Sequence, residues 1–129
     1  MEFIRKELVA IYKVLESMID VTGRDNMSAI VEVLPLITKS IKEILPVSDE
    51  DDIDIFLSLG RASNMVNTQF VCDVLYDMSS EKKTWLSKKL DIIACADGPM
   101  TDKEQEYVDS ITFIMQNKVP SEIIKALFK

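Results

Sequence analysis

Apolar residues return every three or four positions along almost the whole chain, the spacing of one face of a helix. Ile4, Leu8, Ile11, Leu15 and Met18 step in this way, with Tyr12 and Ile19 widening the stripe. Gly23 is a natural stop, since glycine readily closes a helix, and Asp25 or Asn26 is a natural cap for the next one. Met27, Ile30, Leu34, Ile37, Ile41 and Ile44 repeat the spacing. Pro35 falls inside that run and removes one backbone hydrogen bond, so a kink or break is expected near Leu34; Pro46 closes the segment.

Ser48 followed by Asp49, Glu50, Asp51 and Asp52 reads as a cap and an acidic first turn, opening a third helix. Ile53, Phe56, Leu59, Ala62, Val66, Phe70, Val74 and Met78 carry its apolar face. Ser79 or Ser80 caps a fourth helix, with Trp85, Leu86, Leu90, Ile93 and Ala94 inward. A fifth starts at Thr101 and buries Tyr107, Val108, Ile111, Ile114 and Met115, and Pro120-Ser121 begins a short last one with Ile123, Ile124, Leu127 and Phe128. No stretch alternates with period two. The expectation is an all-α single domain over residues 1–129, a compact bundle of about five to seven helices joined by short loops.

Composition narrows the function more than the fold. A chain of 129 residues, 47% hydrophobic, buries roughly two-thirds of its unfolded surface and needs neither disulfide nor structural metal to hold together. Lys and Arg number 15 against 22 Asp and Glu, a net charge of −7, and the lysine pairs 82–83 and 88–89 are isolated. Such a chain lacks the cationic patch that a phosphate backbone requires, so nucleic acid is not expected as a partner. The charged start and the lack of a long apolar run argue against a signal peptide and a transmembrane segment. Cys72 and Cys95 sit in apolar helical patterns and read as buried, reduced thiols of a cytoplasmic protein. Without histidine, the usual general base and nucleophile pairs are missing, and three scattered glycines make no phosphate-cradling loop. An enzyme is not expected.

One stretch holds more than packing. Ile93-Ala94-Cys95-Ala96-Asp97-Gly98-Pro99-Met100-Thr101-Asp102-Lys103-Glu104 ends one helix, turns, and starts another with carboxylates on both sides of the break. Gly98 suits a helix end, Thr101-x-x-Glu104 suits a capping box, and Asp102 complements the helix dipole. Those uses leave Asp97 unexplained, because a carboxylate in a last turn faces the negative end of the dipole. A cation bound by Asp97, Glu104 and Asp102, or Lys103 nearby, would offset that. Calcium takes six to eight oxygens and magnesium keeps several waters, so this set would make a weak, wet site.

Ala96-Asp97-Gly98 at the end of an apolar helix, with Glu104 opening the next, resembles the repeat motif of the TerB-like (tellurite-resistance) family. The match runs from Leu86 to Met115. The resemblance implies an all-helical bacterial stress-response domain, cytoplasmic, of two similar halves, able to bind a divalent cation such as Ca²⁺ or Mg²⁺. Asp20 is the upstream counterpart of Asp97, and aligning them sets Val31, Leu34 and Ile37 against Val108, Ile111 and Ile114. Val21 then stands in place of Gly98 and Met27 in place of Glu104, so the first half is a degenerate repeat in its chemistry; Pro99 also departs from the family's usual polar residue. The alternative is a helical protein-interaction adaptor or homo-oligomer without an ion site. That reading expects an exposed apolar patch on the order of several hundred Å². The methionines, Met18, Met27, Met78 and Met115 among them, read as core gap-fillers.

Overall fold

The computed structural model describes residues 2–23, 27–46, 51–96, 98–120 and 122. These form six helices and no strand: α1 (Arg5–Thr22), α2 (Met27–Ile44), α3 (Asp52–Met65), α4 (Thr68–Asp77), α5 (Ser80–Ala94) and α6 (Asp102–Gln116). None of the described helices is long and apolar enough to cross a membrane. The short helix expected beyond Pro120 and the caps expected at Asp25, Asn26 and Ser48 lie outside the described residues, Glu122 excepted.

The organising element is α1, which packs against all five other helices. Glu7, Leu8, Val9, Ala10 and Ile11 are all buried, and five consecutive residues go more than once round a helix. Val14, Leu15 and Met18 continue the burial to the far end. Around this axis α2 packs on α5, α5 on α6, and α6 on α4, while α3 rests chiefly on α1. Leu86, Leu90, Ile93, Ile111 and Ile114 fill the side closed by α5 and α6, each 2% exposed or less. Tyr107 on α6 donates its hydroxyl to the Val14 carbonyl at 2.8 Å. Burial raises its pKa, with the Asp20 charge adding to the effect and a hydrogen bond with Ser17 opposing it.

Caps set most of the boundaries. Gly23 closes α1 at φ +104°, its N–H donating to Ile19 at 3.0 Å. Ser79 accepts from the Lys82 N–H at the start of α5. The third helix differs from expectation in two ways. Its cap is Asp51, whose carboxylate accepts the Ile53 N–H at 2.9 Å. It also ends at Met65, and α4 begins separately. The break has a physical cause: Lys13 of α1 places its ammonium 2.8 Å from the carbonyls of both Ser63 and Val66, a cation at the negative end of α3. Asn67 then turns the chain and accepts the Phe70 N–H at 2.9 Å to start α4. Conversely, no break occurs at Pro35. That residue is exposed, and the carbonyl it leaves without a partner belongs to Val31, itself 63% exposed, where water can take the missing bond.

A buried ion pair ties the start of α1 to the start of α5. Lys82 Nζ lies 2.7 Å from Glu7 Oε1, and both side chains are largely buried. The same oxygen accepts the Ile4 N–H at 2.9 Å, so Glu7 caps α1 from its third position; Ile4, with no side-chain oxygen, returns nothing. Phe3 lies beneath the Lys82 ammonium, 5.2 Å from ring centre to nitrogen, and 5.3 Å from the Trp85 ring. Removing one partner of a buried pair leaves the other charge uncompensated. Lys82→Met should therefore cost about 3–5 kcal/mol of unfolding free energy in urea titrations, and adding Glu7→Met to it should recover part of that loss.

Candidate functional site

The acidic turn is built where α5 stops. The Cys95 N–H still donates to Asp91, Ala96 donates to Ile93 at 3.2 Å, and Gly98 donates to Cys95 at 3.2 Å, tightening the chain into a turn. Gly98 has φ +132°, a conformation that side-chain-bearing residues rarely adopt. Met100 packs back on the core, and Thr101 caps α6. The capping box is complete: Thr101 Oγ1 accepts the Glu104 N–H at 3.1 Å, and Glu104 Oε1 accepts the Thr101 N–H at 3.0 Å.

Glu104 is 2% exposed, among the most buried side chains described. Its second oxygen lies 3.5 Å from the Thr22 hydroxyl, at the C-terminal end of α1. The start of α6 is thus set against the end of α1. Asp102 is exposed in the first turn of α6. Asp97 lies outside the described residues, and among those described no three carboxylates or thiols stand together as a metal-binding group. Met27, the position set against Glu104 in the sequence, is 65% exposed where Glu104 is buried. The thiols differ from each other. Cys72 is buried, with its pKa raised to about 11 by desolvation and then by Asp73, whereas Cys95, expected inside, is exposed.

A second feature is exposed apolar surface, which the adaptor alternative expects, at residues the periodicity assigned to the core. Ile4, Met27, Leu34 and Ile53 were all expected in the core, and all are exposed, at 52%, 65%, 44% and 68%. Met27 and Leu34 share one face of α2 with Val31 and Thr38, at a spacing of four, three and four residues. Ile53 and Leu57 lie one turn apart on α3, and Leu57 is 53% exposed. A cleft of about 840 Å³ of space open to solvent is lined by Thr38 of α2, by Ile53, Phe56 and Leu57 of α3, and floored by Tyr12 of α1. The cleft exists because α2 and α3 each pack closely on α1 and much less on one another. Gly60 leaves room for Tyr12 at the floor: a Cβ there would come 3.3 Å from the Tyr12 hydroxyl. The sequence signal was present as an apolar flank wider than one buried stripe needs. Periodicity alone does not say which side of that flank has a neighbour.

No family model, curated protein or solved structure matches the chain. The TerB-like resemblance therefore stands on the residues of the acidic turn.

The geometry of that turn has a direct consequence for stability. Thr101→Ala should lower the unfolding free energy by about 1 kcal/mol, the cost of one lost cap. Glu104→Ala should lower it further in the same urea titration, because it also empties a buried position and strands the Thr101 N–H.

Proposed function

We propose that this chain is a non-catalytic, TerB-like helical domain that works by binding, with the α2–α3 cleft as the seat for a helix of another protein. The observation that carries this reading is the cleft lined by Ile53, Phe56 and Leu57 of α3 and floored by Tyr12, with exposed apolar side chains on α2 and α3. Apolar side chains at helical spacing along such a cleft match the way amphipathic helices are held in grooves, and clustered exposed apolar surface marks contact sites. A binding role is also supported by the chemistry the chain lacks. It has no histidine, and the Cys72 thiol, raised to about 11, stays protonated and is a poor nucleophile at neutral pH. The bacterial stress-response role and cytoplasmic setting implied by the resemblance belong to the same proposal.

The test uses a neutral amphipathic peptide of about sixteen residues, with leucine at every third or fourth position and glutamine and alanine between. It should raise the thermal midpoint of the wild-type protein. Ile53→Ser with Leu57→Ser should abolish that rise while changing the midpoint of the free protein little, since both positions are exposed. A peptide effect that survives both substitutions would remove the cleft as the binding site.

A second reading, a divalent cation at the α5–α6 turn, is supported by a separate observation. Glu104 is nearly fully buried, and no ion pair among the described residues reaches it. A carboxylate has about four lone-pair sites, so the cap does not exhaust its capacity. After chelator treatment and in high salt, Ca²⁺ or Mg²⁺ at a hundred times its dissociation constant should stabilise the protein by about 2.7 kcal/mol. Asp97→Asn should lose that response. The absence of any cation-dependent shift would reduce the turn to a helix boundary.

A further inference from the structure

We propose that the pocket between α1, α4 and α6 is a site for a small neutral molecule of about six to ten heavy atoms, with an apolar body and one hydroxyl or N–H group at its end. This site is separate from the α2–α3 cleft and does not depend on the binding role proposed above. The three helices pack on one another in pairs, and three cylinders in mutual contact leave a channel along their centre. Here the channel opens into a pocket of about 410 Å³, part of it open to solvent, a size within the range of small-molecule sites. Val14 of α1, Val71 and Cys72 of α4, and Ile111 and Ile114 of α6 form an apolar wall, with Tyr107 of α6 beside them.

Protein interiors ordinarily close such gaps, and here the two long side chains that line this one are tied elsewhere. The Lys13 ammonium is held at 2.8 Å by both the Ser63 and the Val66 carbonyls, and the Tyr107 hydroxyl at 2.8 Å by the Val14 carbonyl. The chemistry of the occupant follows from the lining. The wall is aliphatic, and desolvation, then the Asp73 charge, raises the Cys72 thiol to about 11, so it stays protonated and adds apolar surface. Lys13, Ser17 and Thr68 make the rest of the lining polar, and the Thr68 hydroxyl can both donate and accept one bond from an uncharged group. An ion finds no dedicated partner there. Lys13 also lines the neighbouring polar cleft, where Glu16 and Asp20 stand with it. A cation would meet the lysine and an anion the two carboxylates, and desolvating either without a partner is costly. A neutral molecule avoids both.

Three ligands built on one ring decide the matter: benzyl alcohol, benzoate and benzylammonium. Each is titrated into the full chain carrying ¹³C-labelled valine, isoleucine and leucine methyl groups. Benzyl alcohol should give saturable shifts at Val14, Val71, Ile111 and Ile114, with Ile53 and Leu57 of the cleft unmoved. It should bind at least about tenfold more tightly than either ion. Cys72→Met, which places extra volume in the pocket, should weaken benzyl alcohol about tenfold or more. The wild-type shifts locate the site whether or not that variant folds. Equal or tighter binding of benzoate or benzylammonium would overturn the neutral class of ligand. The pocket itself would be overturned by the lack of any saturable shift at its four methyl-bearing residues, by saturation confined to Ile53 and Leu57, or by undiminished affinity in a folded Cys72→Met protein.

Discussion

Burial of α1 on every side over Glu7–Ile11, and on one face beyond, is the constraint on which the rest of the structure depends. A stretch with Leu8, Val9, Ala10 and Ile11 buried in succession has no side to offer to water, so it must be surrounded. The other five helices exist in their observed places because each covers part of that surface. The central helix also organises its neighbours through polar contacts made from inside. Glu7 fixes the start of α5 through Lys82, Lys13 closes α3, the Val14 carbonyl anchors Tyr107 of α6, and Thr22 meets Glu104. Each of these satisfies a charge or a backbone group that would be costly to bury alone.

The same constraint explains why the domain has a cleft. Helices around a central one pack on it first and on each other only where side chains reach. α2, α5, α6 and α4 follow one another round the axis, each packed on the next, whereas α3, held through Lys13 and the Ile55–Leu59 face, is chiefly a neighbour of α1. The gap beside it leaves apolar side chains of α2 and α3 in water. A domain that needed only to fold would place polar residues at Val31, Ile53 and Leu57, since exposed apolar groups at helical spacing add nothing to stability and invite association. The acidic turn between α5 and α6 has a different character. Its glycine and its capping box are accounted for by helix-ending chemistry, and Glu104 contributes to stability whether or not an ion is ever held there.

What was legible in the sequence, and what was not, divides along physical lines. Helical class, the stop at Gly23, the cap at Ser79 and the box between Thr101 and Glu104 depend on residues close in the chain, and pattern reading finds them. The split between α3 and α4 depends on Lys13, some fifty residues away, and was missed although Asn67 carried a local signal for it. Pro35 misled because its cost depends on whether the orphaned carbonyl meets water or protein, which the sequence does not state. The exposure of Met27, Leu34 and Ile53 was missed for the reason that the cleft exists: an apolar stripe records that a face prefers to be covered, without recording whether this chain covers it. For the candidate ion site, the capping roles of Thr101 and Glu104 were readable, while the nearly complete burial of Glu104 against the end of α1 required the fold.

The proposed binding role of the α2–α3 cleft makes a spatial claim, and amide chemical shifts report it residue by residue. We would titrate the neutral amphipathic peptide into ¹⁵N-labelled protein. Shifts should concentrate at Tyr12, Thr38, Ile53, Phe56 and Leu57, with the α5–α6 turn unmoved. Shifts centred on Gly98 to Glu104, or spread evenly over the acidic surface, would contradict it.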